Sequence, residues 1–265
     1  RANTAAKPIV AGIPFLNKLD VQFPDPNQAL DEPDGLLAAG GDLTPEWLLT
    51  AYSFGIFPWF NSDEEPIYWW SPKTRGVLQP GHMRITRSLR KRIQNGSFSI
   101  TTDEQFDAVI ECCATTPRND QAGTWITPRM QSAYHALFQR GVAHSVEVWN
   151  DNALVGGLYG IALGQMFFGE SMFSKVPDAS KVAFYHLQQY LLAENFSLID
   201  CQMMNPHLET LGVRPMERAE FLARLGTNRD KATKIGPWSW AQTLPETQTI
   251  TDHNQQPQIK VDTGQ

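Results

Sequence analysis

Phe167-Phe168-Gly169-Glu170-Ser171-Met172-Phe173-Ser174 and, further along, Leu198-Ile199-Asp200-Cys201-Gln202 each set one carboxylate inside an otherwise apolar, strand-like run. A buried carboxylate is costly unless it is paired, hydrogen-bonded or protonated. The residues between them have helical spacing over about 179–193. Two strands that flank a helix and each carry an acid point to a chemical site at their ends. Strand alternation puts Asp200 and Gln202 on one face and turns Cys201 away.

Working outward, the pattern is regular. Before the first stretch, Val142–Trp149 and Leu154–Leu163 read as strands, joined by the turn Asn150-Asp151-Asn152, and Gly164-Gln165 turns the chain again into Met166–Phe173. Upstream, Phe98–Thr102 is a strand. Asp103 is placed to cap a helix with Phe106, Val109, Ile110 and Cys113 at helical spacing. Thr127-Pro128 opens a second helix that stops at Gly141. Downstream, Asn205-Pro206 starts a short helix, and a last helix covers about 217–225. Near the N-terminus, Thr44-Pro45 opens a helix that ends at Gly55. Six aromatics follow between Phe57 and Trp70.

These elements predict an α+β chain, α/β-like in part. A smaller N-terminal α+β domain covers 15–95, rich in aromatics and arginine. A mixed sheet with flanking helices covers 96–240, and a polar tail expected to be disordered covers 241–265. The order strand, helix, helix, three strands, helix, strand, helix resembles the Gcn5-related acyltransferase core. In that core a splay between two central strands admits an acyl donor beside an amine.

Composition narrows the function. The 265 residues carry a net charge of −6 and 42% hydrophobic residues, and no apolar run reaches the roughly 20 residues of a membrane helix. Cys112, Cys113 and Cys201 have no metal-binding spacing and fit a reducing cytoplasm. His135, His144, His186 and His207 show no triad or metal spacing and read as structural. No metal or cofactor is expected. The charge is segregated. From Leu19 to Glu65 there are ten acids and no Lys or Arg. From Pro66 to Thr102 there are seven basic residues and no acid. A helix expected over 84–92 would align Arg84, Arg87 and Lys91, with Arg90 and Arg92 beside them, as a phosphate-contacting face.

The start of the helix near 179 separates two kinds of acyl donor. Coenzyme A enzymes of this fold hold pyrophosphate on a glycine-rich turn there, whereas this chain has Ser174-Lys175-Val176-Pro177-Asp178-Ala179-Ser180-Lys181. A donor with its own polyanionic body would use the basic face instead. The quoted runs, together with Pro33-Asp34-Gly35-Leu36-Leu37-Ala38-Ala39-Gly40-Gly41-Asp42-Leu43, Gly55-Ile56-Phe57-Pro58-Trp59-Phe60, Trp69-Trp70-Ser71-Pro72, Gly123-Thr124-Trp125-Ile126-Thr127 and His144-Ser145-Val146-Glu147-Val148-Trp149, resemble the leucyl/phenylalanyl-tRNA–protein transferase family across about 23–225.

The resemblance implies transfer of leucine or phenylalanine, with methionine a further option, from aminoacyl-tRNA to proteins that begin with Arg or Lys, marking them for N-end-rule degradation. It implies Asp200 and Gln202 as the catalytic pair, with Glu170 gripping the donor or ordering the site. It implies an aminoacyl pocket of Leu158, Phe167, Met172, Leu187 and Ile199, and adenosine stacking on Trp59 and Trp125. tRNA phosphates would meet Arg84, Arg87, Arg90, Lys91, Arg92 and Lys181. Leu187 and Phe168 depart from the family pattern, which has an aromatic and a small residue there; each could offset the other. A monomer is expected. An acyl-CoA N-acetyltransferase of the same fold and a catalytically silent RNA- or degron-binding module are the competing readings.

Overall fold

The structure is a computed structural model, and it describes residues 12–116 and 124–239. The expected tail of 241–265 and the segment 117–123 lie outside the described residues.

Two sheets organise the chain. The smaller holds β1 (Phe15–Leu16), β2 (Leu36–Gly40), β3 (Phe57–Pro58) and β4 (Tyr68–Trp70) in the order β1-β2-β4-β3. Helix α1 (Pro45–Ser53) is started by the Thr44 side chain, which accepts from the Trp47 N–H, with Pro45 at the first helical position. Its buried face carries Trp47, Leu48, Ala51 and Tyr52.

The larger sheet has seven strands. They are β5 (Thr74–Leu78), β6 (Ser99–Thr102), β7 (Ala143–Asn150), β8 (Ala153–Leu163), β9 (Met166–Ser174), β10 (Leu198–Asp200) and β11 (Arg214–Glu217). Their order is β11-β5-β10-β9-β8-β7-β6. Only the β9–β10 pair is parallel; the others are antiparallel. Residues 74–78 fall within the expected first unit of 15–95, but as β5 they pair with β10 and β11, so the division between the two sheets lies between β4 and β5. Helix α2 (Arg87–Gln94), also expected there, packs on the far side of the larger sheet through Leu89.

Apolar side chains fill both faces of that sheet. On one face α1, α3 (Phe106–Thr115) and α4 (Pro128–Gln139) cover Val77, Tyr159, Ile161, Phe168 and Phe173. On the other, α5 (Ala179–Ala193) covers Leu158, Phe167 and Ile199. Phe168 faces α1, where it meets Tyr52 edge-on at 5.3 Å, and Leu187 lies on the α5 side. The two departures therefore sit on opposite faces and cannot offset one another. Two short helices, α6 (Pro206–Thr210) and α7 (Arg218–Asn228), flank β11.

Strand β10 pairs with β9 at only three positions, Leu198 with Met166, Ile199 with Phe167 and Asp200 with Phe168. β9 then runs on to Ser174 without it. This is the splay expected between two central strands. The chain past Asp200 turns away at Gln202, which has φ +60°, so the strand expected to reach Gln202 ends two residues earlier.

Candidate active site

Glu170 owes its aim to a bulge. Gly160 pairs with Gly169 and Tyr159 with Ser171, which leaves Glu170 as the unpaired residue of β9. Bulges re-aim side chains in this way. Gly160 must be glycine here, because a Cβ would lie 2.2 Å from the Phe168 carbonyl oxygen and 2.6 Å from the Phe167 ring. The Glu170 side chain enters the α1/α4 side. Its Oε1 accepts from the Tyr52 hydroxyl and from Gln202 Nε2 at 3.0 Å, and its Oε2 accepts from the Tyr134 hydroxyl at 2.9 Å. The two tyrosine oxygens are 2.5 Å apart. Burial pushes the Glu170 carboxyl up to about 7, against the opposing pull of its three donors. Tyr52 and Tyr134 are pushed well above the usual phenol range by burial and by Glu170, so both stay neutral donors.

Asp200 is arranged differently. It is fully buried, and Arg75 binds it bidentately, Nη2 to Oδ2 at 2.5 Å and Nε to Oδ1 at 3.2 Å. Arg75 is 1% exposed. It also donates to the Gly55 carbonyl at 2.7 Å and lies over Phe221 at 4.4 Å and Phe57 at 4.9 Å. Asp200 Oδ1 further accepts from the Gln202 N–H at 2.8 Å, which holds the left-handed turn that delivers Gln202 to Glu170. Asp200 and Gln202 thus meet through a side-chain-to-backbone turn, not through the expected strand alternation. Both Asp200 oxygens are engaged, which anchors the turn. Cys201 lies toward the α5 side, and burial pushes its thiol up, which makes it a poor nucleophile.

The remaining expected residues are dispersed. Leu158, Phe167, Leu187 and Ile199 form one closed cluster under α5, with Met172 half-buried at its edge. That cluster and the Glu170 network lie on opposite faces of the sheet. Trp59 and Trp125 are half-buried at the margin of the apolar cluster on the α1/α4 side, not of the one under α5. Trp59 is edge-on to Trp70 at 5.5 Å, and the Arg129 N–H donates to Asp63 at 3.2 Å between the two segments.

The basic face is smaller than expected. Thr86 caps α2, so Arg84 precedes the helix. Arg84, Arg87 and Lys91 are exposed, while Arg90 and Arg92 are half-buried. Arg92 and Lys181 converge on Asp178 at 3.7 and 3.0 Å. Asp178 at the helix start has φ +67° and makes no cap bond; Ser174 Oγ accepts from the Ser180 N–H instead. An open depression of about 370 Å³ at this helix start is lined by residues that include Asp178, Lys181 and His207. Among the described residues no group of three or more His, Cys, Asp or Glu is placed to hold a metal.

Arg75, Tyr52 and Tyr134 were not expected as site residues. Arg75 falls within the basic run of 66–102. The one local signal for Arg75 is its place in the strand-like run Thr74-Arg75-Gly76-Val77-Leu78, where an arginine needs a partner.

A family profile described as leucyl/phenylalanyl-tRNA protein transferase matches residues 77–226, and one for that family's N-terminal domain matches 41–73. The chain belongs to this family. The profiles divide where the two sheets divide. A leucyl/phenylalanyl-tRNA–protein transferase from Chromohalobacter salexigens is 58% identical over 79% of this chain and 81% of that protein. One from Hydrogenovibrio crunogenus is 54% identical over 85% of this chain and 88% of that protein. Membership makes the chain an aminoacyltransferase. Among solved structures, a GCN5-related N-acetyltransferase from Kribbella flavida covers 65% of this chain and 61% of its own, at 11% identity and a TM-score of 0.36, too loose a superposition to argue from. No helix among the described residues is long and apolar enough to cross a membrane.

Proposed function

We propose that the chain transfers leucine or phenylalanine from aminoacyl-tRNA to the α-amine of proteins beginning with Arg or Lys, as a step toward their degradation in the cytoplasm. The observation that carries the reading is the Glu170–Gln202–Asp200 network at the open end of β10, in a chain of this family.

The chemistry asked of the site is modest. The amine nitrogen bonds to the ester carbonyl carbon, the ribose C–O bond breaks, and the expelled ribose oxygen takes a proton. The free α-amine has a pKa of roughly 7.7–8, so a useful fraction is neutral near pH 7. What remains is positioning and proton handling. Gln202 donates its amide N–H to Glu170, which leaves its Oε1 to accept from the incoming amine. Glu170, near 7, can take up the proton the amine loses, while Asp200 and Arg75 hold the turn fixed. The apolar cluster under α5 would receive the aminoacyl side chain, Trp59 and Trp125 the terminal adenine, and Arg84, Arg87 and Lys91 the acceptor-stem phosphates.

The coenzyme A alternative is disfavoured by Asp178. Its carboxylate sits at the helix start where pyrophosphate would bind, and two cations already face it.

The test is a transfer assay with the purified chain, radiolabelled leucyl-tRNA, Arg-starting and Gly-starting peptides, and an acetyl-CoA arm. Label on the Arg peptide alone, without added cofactor, is the expected result. Acetylation instead would reject the donor, and labelling of both peptides would reject the acceptor rule.

A further inference from the structure

We propose that Trp238, which lies beyond the family profile's last matched residue, is a positioning residue that sets which aminoacyl side chain the α5 cluster accepts. The inference rests on the reading of Phe167 as part of that pocket.

The cluster is closed. Phe167 and Ile199 are 0% exposed and Leu187 is 1% exposed. A leucyl or phenylalanyl side chain can enter only if packed apolar groups yield, because such interiors hold few voids. What yields is decided by what stands behind. Trp238 stands behind Phe167, with ring centroids 6.0 Å apart, and it also touches Tyr190 at 4.8 Å and Phe196 at 6.0 Å.

Trp238 is itself held hard. Its N–H donates to Asp103 Oδ2 at 2.7 Å, its carbonyl accepts from Thr102 Oγ1 at 3.0 Å, and its ring stacks on His144 at 3.7 Å and 9°. Asp103 was expected to cap a helix. Instead it takes a left-handed conformation, φ +57°, and turns its buried carboxylate to His144 Nδ1 at 2.8 Å, the Ser145 N–H at 2.8 Å and Trp238. Gly236 allows the close approach, since a Cβ there would meet His144 Cε1 at 2.6 Å. A non-glycine residue in this conformation persists only when its surroundings impose it. The cost here is met by fixing the C-terminal segment 236–238 against the back of the cluster.

The test compares kcat/KM for phenylalanyl-tRNA and leucyl-tRNA in the full chain and its variants. Trp238→Ala opens space behind Phe167, and the Phe-over-Leu ratio should rise about fivefold or more, within the range one or two methylenes of pocket depth can discriminate. Trp238→Phe, which restores a ring, should bring the ratio back to within about twofold of the original, on the same scale. If Trp238→Ala does not fold, Trp238→Leu is read instead and should move the ratio in the same direction. Rates for both donors that fall together, with the ratio unchanged, overturn the proposal and leave Trp238 a plain core residue. Phe167→Leu is the control. If it shifts the ratio and Trp238 variants do not, only the role of Trp238 fails; if it too leaves the ratio unchanged, the pocket reading fails and this inference with it.

Discussion

Glu170 and Asp200 stand on neighbouring strands, on the same face of one sheet, joined through Gln202, yet the protein accommodates the two carboxylates in opposite ways. Asp200 receives a full positive charge, Arg75, in a bidentate contact. Glu170 receives only neutral donors, two phenols and an amide, and burial raises its carboxyl to about 7. One acid is held in a bidentate ion pair that fixes geometry. The other is left able to change protonation near neutral pH.

The strongest way to break that contrast is to remove the Arg75 charge. Arg75→Met strands Asp200 as an unpaired buried carboxylate, and unfolding should become easier by about 3–5 kcal/mol. Chemical denaturation measures it, and the double variant Arg75→Met/Asp200→Leu should recover most of the loss. A single-variant effect under about 1 kcal/mol would mean that the pair does not anchor the turn.

Glu170 should show the opposite behaviour, in pH. Its folded value, about 7, lies above the ordinary 4.5, so the folded state holds the proton more tightly than the unfolded one. The resulting stabilisation is fully present below pH 4.5 and is lost as pH rises through about 7. Relative to Glu170→Gln, the protein should lose roughly 3 kcal/mol across that window, from 1.36 kcal/mol per pH unit. Denaturation curves at stepped pH read this directly; a flat difference between the two proteins would erase the contrast.

Tyr134→Phe sharpens it by a smaller amount. The substitution removes one donor to Glu170 and one partner of Tyr52, and should cost about 1.5 kcal/mol. Since Tyr134 holds the Glu170 carboxyl down, its loss should also move the pH transition upward. A downward move would show that the tyrosines are not the donors that set Glu170.

The sequence disclosed what is local. Thr44-Pro45, Thr127-Pro128 and Asn205-Pro206 start helices where their caps indicate, and the β7–β8–β9 hairpins fall at the expected turns. Glu170 and Asp200 were visible because an acid in an apolar run needs an explanation wherever it folds. Their partners were not visible. Arg75 lies 125 residues from Asp200 and Tyr52 118 from Glu170, and no periodicity encodes such a meeting. Asp103 misled for the same reason. Its position before a helix looks like a cap, yet its contacts lie 41 and 135 residues away. The basic run read evenly along the chain, but burial of Arg75 and the Asp178 contact of Arg92 depend on tertiary packing.

The single unpaired residue in β9 has an arithmetic consequence. Along an unbroken strand, positions separated by an odd number of residues point to opposite sides. Phe167 and Met172 are five apart, yet both belong to the α5 layer; Phe168 and Phe173, also five apart, both belong to the other. One inserted residue changes the parity of everything after it. Deleting Glu170 would therefore restore plain alternation and leave Met172 opposite Leu158 and Phe173 opposite Gly157, each on its present layer: the bulge lets the strand carry an extra acid without disturbing the packing on either side of it.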